Sequence, residues 1–329
     1  MDPATAPYPW QRGEWQGLLA RRAGGKLPHA LLLTGPAGTG KEDFAEALAR
    51  ALLCVEPDAE ARACGQCTAC ILSRTGAHPD LLWVAPQEDS KYIRIGQVRS
   101  LIASLELKSQ YGGHRIAVLT PADRMNAEAA NSLLKTLEEP GPDTLLLVVT
   151  ALPGRLPATV RSRCQLLRFP LPDQTVATRW LQAQGYSPAE RLLALAEGAP
   201  LRARRMAEED GLARRDALFA DFRGLLQGRG DPVAIAQRWQ GDDPGQCLAW
   251  VSAWMADLAR LRASSRAPRL ANEDLRPDLQ ALSETVDWHR LYRELDRLHE
   301  ATRLLRSQVS AQALLEQVLI PLRKPTNGR

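Results

Sequence analysis

With 329 residues the chain exceeds one small domain, and two or three domains are expected. Hydrophobic residues at 45% and charged residues at 24% describe a globular protein and exclude a fibrous or disordered chain. A net charge of +4 provides no global field that would demand a nucleic-acid partner, and a basic run such as "LRARRM" at 201–206 reads first as a solvated helix face. The start "MDPATAPYPWQRGEW" lacks a charged stretch followed by an apolar core, so it does not read as a signal peptide. The longest apolar runs, such as "LLLVV" at 145–149, are too short to span a bilayer, which points to a cytoplasmic protein without membrane contact. Its six cysteines are then expected as reduced thiols or metal ligands.

In chain order, "ALLLT" (30–34) predicts a buried strand and "KEDFAEALARALLC" (41–54) the helix after it, with Phe44, Leu48, Ala51 and Leu52 on one face. "DLLWVAP" (80–86) predicts a second strand, followed by a helix over 95–108 with Val98, Leu101, Ile102 and Leu105 at helical spacing. "RIAVLT" (115–120) is a third strand, and "NAEAANSLLKTLEEP" (126–140) reads as one helix that stops at Pro140. "DTLLLVVT" (143–150) and "CQLLRFP" (164–170) complete the set of strands, with a short helix near "PATVRSRC" between them. Apolar strands alternating with helices predict an α/β fold whose five-stranded parallel sheet is covered on both faces. After "FPLPD" (169–173) the pattern turns helical, with a small unit to about 207 and a longer one to the end. Trp250, Trp254, Trp288 and Tyr292 sit at helical spacing in that second half and read as core residues ahead of interface anchors; Cys247 reads as a buried thiol.

Between the first strand and its helix stands "GPAGTGKE". Gly35, Gly40 and Lys41 have the phosphate-loop spacing, with Gly38 inside the loop. Glycines let backbone N–H groups approach phosphate oxygens, the helix N-terminus adds partial positive charge, and Lys41 would neutralise terminal phosphates. Glu42, however, occupies the place of the Ser or Thr that holds magnesium. Its charge beside phosphate, at about 4 Å, costs roughly 4 kcal/mol at an effective dielectric near 20, which weakens Mg–ATP without excluding it. The third strand carries a second departure. Thr120 and Pro121 stand where an ATPase of this class needs an acidic pair, and Pro121 has no group to accept a proton. Asp123, three residues on, is expected not to substitute. ATP hydrolysis by this chain is therefore not expected.

Cys64, Cys67 and Cys70 follow one another at C-x-x-C-x-x-C spacing, with Cys54 ten positions upstream. Four thiols so close predict a closed Cys₄ zinc site; an iron–sulfur reading must also recruit Cys54, and unliganded core cysteines suit the polar context poorly. His78 reads as a residue at the start of the second strand and not as a ligand. Arg161 and Arg163 precede the last strand; alone such a pair reads first as a surface salt bridger, though from this edge an arginine can also reach the nucleotide of a neighbouring subunit.

"ANSLLKTLEEPGPDTLLLVVT" followed by "LPATVRSRC" resembles the bacterial AAA+ clamp-loader subunits of the DNA polymerase III holoenzyme, densely from about 28 to 170 and weakly beyond 210. The resemblance implies a AAA+ domain over 1–168 with its zinc-binding insertion (54–70), a helical lid over 169–207 and a helical collar over 208–329. It implies structural Zn2+ on Cys54, Cys64, Cys67 and Cys70, a trans-acting finger at Arg163, and a sensor position at Thr150. The family's lid arginine is replaced by Leu201, with Arg202 one residue later. The broken loop and missing acidic pair resemble the non-hydrolysing, stator-type member. Its implied partners are gamma/tau and delta subunits in a hetero-pentameric ring, and through the ring the sliding clamp and primed DNA. A gamma/tau-like ATPase ligating metal through Glu42 and Thr120 is the alternative. A nucleic-acid-binding zinc protein is a third reading, supported by the cysteines and scattered arginines such as Arg202, Arg204 and Arg205.

Overall fold

The computed structural model describes residues 7–88, 90–263, 270–305 and 309–323. Two compact units emerge, residues 1–185 with 198–202, and residues 186–197 with 203–329.

The first unit is built on the expected parallel sheet. Strands β1 (Ala30–Thr34), β2 (Leu81–Val84), β3 (Arg115–Leu119), β4 (Thr144–Thr150) and β5 (Gln165–Arg168) are arranged in the order β2-β3-β4-β1-β5. Helices α1 (Arg12–Ala23) and α2 (Lys41–Leu53) cover one face, and Trp15, Leu18, Phe44 and Leu48 pack there on Leu31, Leu33, Ile116, Val118, Leu145 and Leu147. The alternate strand residues Ala30, Ala117, Leu119 and Leu146 face the opposite layer, formed in part by α4 (Ile95–Leu105). Between α2 and α4 lies the short α3 (Thr68–Arg74). Both sets of residues are apolar because a central parallel strand has no wet face. The edges differ from that expectation: Trp83 on β2 and Leu166 on β5 are exposed.

The helix expected over 126–140 is two helices, α5 (Ala127–Ser132) and α6 (Leu134–Glu138), broken at Leu133. Asn126 caps α5 by accepting from the Ala129 N–H at 2.8 Å, and Leu133 and Leu137 are buried under the sheet. Leu133 keeps a right-handed helical conformation at φ −76° and ψ −18°, and its N–H donates to Ala130 O at 3.3 Å, so the break is one tightened turn. The single-turn α7 (Ala158–Arg161) is pinned through the fully buried Val160.

Asp80, just ahead of β2, is wholly buried and accepts from Ser109 Oγ at 2.9 Å and from the N–H groups of Gln110 and Tyr111 at 3.1 Å. Arg115 Nη1 lies 3.6 Å away. Burial works against the charged carboxylate, but these N–H and O–H donors and Arg115 outweigh it and hold its pKa below the ordinary value. A depressed carboxylate contributes stability above its unfolded pKa of about 3.9 and loses it as pH falls through the folded value. Asp80→Ala is expected to cost about 3 kcal/mol in urea unfolding at neutral pH, because Arg115 is left buried without its partner. The same substitution should flatten the acid limb of the stability curve, and a steep limb that survived it would place the acid sensitivity elsewhere.

The polypeptide continues through α8 (Gln174–Ala183), α9 (Ala189–Leu195) and α10 (Pro200–Glu208). The second unit comprises α9, the part of α10 from Ala203 on, α11 (Gly211–Leu226), α12 (Pro232–Trp239), α13 (Pro244–Ala263), α14 (Arg276–Ser283), α15 (Trp288–Leu304) and α16 (Ala311–Leu322). Its core is aromatic: Trp254 lies 5.2 Å from the Phe219 ring and 5.3 Å from the Phe222 ring, within the range of favourable edge and tilted contacts. Trp250 and Trp254 are core residues, whereas Tyr292 is 48% exposed; the Trp288 side chain lies outside the described residues. Cys247 is buried, which pushes its thiol up to about 12 with help from Asp242 and Asp243. Arg215 is fully buried and donates to Asp274 and Asn272, each at 2.8 Å. Among the described residues no helix is long and apolar enough to cross a membrane.

Candidate functional site

In the sheet order β4 stands between β1 and β3. The carboxyl ends of these strands therefore bring the phosphate loop, Thr150 and Thr120 together at the edge where open α/β sheets bind ligands. Gly38 and Gly40 have φ of +80° and +81°, and a Cβ on Gly35 would lie 2.0 Å from the Phe169 carbonyl oxygen. These are the close approaches that make glycine obligatory.

The loop is held from three sides. Gln11 donates through Nε2 to the carbonyls of Thr39 at 3.0 Å and Gly40 at 2.8 Å, and Trp10 Nε1 donates to Thr39 O at 3.0 Å. Tyr8 stacks on Trp10 with centroids 5.0 Å apart, and its hydroxyl donates to Asp43. Trp180 meets both rings edge-on at 5.5 and 5.4 Å. Leu201, at the expected lid-arginine position, donates its N–H to Gly38 O at 3.1 Å, and a Cβ on Gly38 would meet Arg202 at 3.0 Å. Lys41 is 5% exposed, and its Nζ donates to Pro36 O at 2.7 Å. Burial lowers its pKa, with Glu42 and Asp123 pulling the other way. Glu42 itself is exposed.

Tyr8, Trp10 and Gln11, which hold the loop, belong to no motif or periodic pattern of the sequence. Asp123 lies at this site as well: its Oδ1 accepts from Thr150 Oγ1 at 2.6 Å, and its charge reaches Lys41. Thr150 Oγ1 also accepts from Leu152 N–H at 2.9 Å. Thr120 is 5% exposed, and its Oγ1 has no hydrogen-bond partner among the described residues. The carboxylate near the lysine thus touches a threonine through one oxygen, and Pro121 beside Thr120 offers nothing to activate water.

The four cysteines come together. Cys54 ends α2, Cys67 caps α3, Cys70 lies in the first turn of α3, and Gly65 at φ +78° turns the chain between Cys64 and Cys67. All four sulfurs lie within 4.8 Å of one another, with Cys54–Cys67 and Cys64–Cys70 both at 3.9 Å. A tetrahedral ion with metal–sulfur bonds of about 2.3 Å separates its sulfurs by about 3.8 Å. The site can hold a metal ion. N–H groups of Cys64 and Cys67 point at Cys54 and Cys64 Sγ, each at 3.3 Å. Burial raises the thiols of Cys54 and Cys70; at Cys67 burial is outweighed by N–H groups of Val55 and Cys70 and by neighbouring thiols, which bring it down to about 6. His78 is outside this group, buried, with Nδ1 accepting from Asp80 N–H at 3.1 Å.

Arg163 follows α7, and Arg161 on α7 is exposed. Arg163 donates through Nε to Glu138 Oε1 at 2.7 Å. Arg204, in the basic run, pairs with Glu208 at 3.7 Å, and Arg205 is exposed.

Residues 10–173 match the family described as DNA polymerase III, delta subunit, and residues 209–324 its C-terminal family. DNA polymerase III subunit delta' of Pseudomonas aeruginosa is 38% identical over 281 residues, 84% of either chain. The chain belongs to the delta' family of DNA polymerase III subunits. The delta' subunit of Escherichia coli is 35% identical over 271 residues, 82% of this chain and 80% of that one. In fold, the chain is similar to a DNA polymerase III gamma subunit-related protein of Thermotoga maritima, with a TM-score of 0.54 at 15% identity over 93% of this chain and 97% of that one. The clamp-loader family that the motifs resemble and the family found by comparison agree.

Proposed function

We propose that this chain is the stator of a bacterial clamp loader, the subunit that loads the sliding clamp onto primed DNA in concert with gamma/tau and delta subunits in a five-membered ring. It hydrolyses no ATP. It donates Arg163 to the ATP site of a neighbour, where the guanidinium meets charge developing at the γ-phosphate. Zinc on Cys54, Cys64, Cys67 and Cys70 staples the insertion, and the site is structural because four thiolates leave no open position. Residues 1–168 serve as the AAA+ body, 169–207 as a lid and 208–329 as the collar through which the ring assembles in the cytoplasm.

One observation carries the reading: the end of β3 offers Thr120 and Pro121 where hydrolysis needs acids. Lys41 folded onto Pro36 and the packing at Gly38 agree with a loop kept for its architecture. Reconstitution tests it. Gamma/tau and delta subunits, supplied with clamp, ATP and primed DNA, should load clamps only when this chain is added, and Lys41→Ala should load as well as the parent. Loading that is independent of the chain, or lost with Lys41→Ala, would contradict the stator role.

A further inference from the structure

Arg163 does not hang loose. Nε donates to Glu138 Oε1 at 2.7 Å and Nη2 pairs with the same oxygen, while Nη1 donates to the Thr159 carbonyl at 3.0 Å and lies 3.4 Å from Ser162 Oγ. Both anchors are themselves fixed. Thr159 precedes Val160, which is 0% exposed, and Glu138 ends α6 one residue after Leu137, which is 2% exposed. Helices α6 and α7 pack against each other. A guanidinium carries five N–H donors in a rigid fork. Of these, the second hydrogen of Nη2 has no partner among the described residues, on a side chain that is 34% exposed. The outcome is an arginine held at Nε and at both terminal nitrogens, with one N–H of Nη2 left to offer.

The pair is a weak strut. With the Glu138 side chain 53% exposed, water screens the interaction and little stability follows from it. What the contacts do accomplish is orientation, since a free arginine has large rotamer entropy to lose on engaging a phosphate.

We propose that Glu138 is a positioning residue for Arg163: its carboxylate, with the Thr159 carbonyl, presets the guanidinium so that a neighbour's γ-phosphate meets an ordered donor. This rests on Arg163 acting as the finger. The carboxylate grips the Nε side of the fork and leaves a terminal N–H for the phosphate. When the neighbour docks, no search among rotamers is needed, and the gain falls on turnover and not on ATP affinity.

The test uses the assembled complex with saturating clamp and primed DNA, its other ATP sites disabled. Glu138→Ala should lower kcat at the facing site about tenfold, a part of the roughly hundredfold that a 1 Å misplacement can cost, with KM for ATP and complex assembly unchanged. Glu138→Gln keeps an acceptor oxygen at the same place and should restore most of the rate. Added to Arg163→Ala, Glu138→Ala should have no further effect. If Arg163→Ala slows turnover while Glu138→Ala leaves it unchanged, Glu138 is a bystander and the proposal fails; if Glu138→Ala speeds turnover, the carboxylate is a restraint and the proposal is reversed. An Arg163→Ala complex with normal turnover would remove the finger itself, and the positioning role with it.

Discussion

Arg163→Ala is expected to lower ATP turnover at the site that faces it by on the order of 10³-fold, the lower end of what arginine fingers supply. The chain should stay folded, because the side chain is partly exposed and its ion pair with Glu138 is a surface one. Assembly of the ring should also survive. The measurement is single-site turnover in a complex whose remaining ATP sites carry substitutions of their own loop lysines. Arg161→Ala is the control: it is exposed on the same short helix and should have no comparable effect. Equal losses from both would mean that the basic segment contributes general charge, and no particular guanidinium would then be the finger.

The second large effect concerns the thiol cluster. The purified chain is expected to contain one zinc ion, and Cys70→Ala to contain almost none. In small domains structural zinc accounts for on the order of 10 kcal/mol of folding free energy. Here the loss should stay local, because the sheet has its own core on both faces. Hydrogen exchange should accelerate across 54–75 and at the N-terminus of α3, where Cys67 and Cys70 hold the first turn. Trp15 donates to Glu60 O at 3.1 Å, so α1 should report the change as well. A metal-free wild-type chain with full protection over 54–75 would show that the cysteines serve only as packing.

The sequence announced the sheet because a parallel strand buried on both faces is written as a continuous apolar run: "ALLLT" and "TLLLVVT" coincide with β1 and β4. It announced the cysteine cluster because ligand spacing is local. It gave no sign of the break in 126–140, where one tightened turn at Leu133 leaves the helical period intact. The contact of Asp123 with Thr150 was not legible, because it comes from the sheet order, which places β4 beside β3 and so brings Thr150 to within 2.6 Å across 27 residues of chain. The hold of Tyr8, Trp10 and Gln11 on the phosphate loop was hidden because contacts between distant segments leave no periodic mark. Glu138 was hidden in the same way, 25 residues from the arginine it grips.

Steady-state ATP hydrolysis by the purified chain alone, with magnesium and beside a metal-free control, tests the central claim most directly. The expected result is no turnover above the control, and no change on Lys41→Ala. Magnesium-dependent turnover abolished by Lys41→Ala would contradict it: Glu42 and Thr120 would then be working ligands, and the chain an ATPase in its own right.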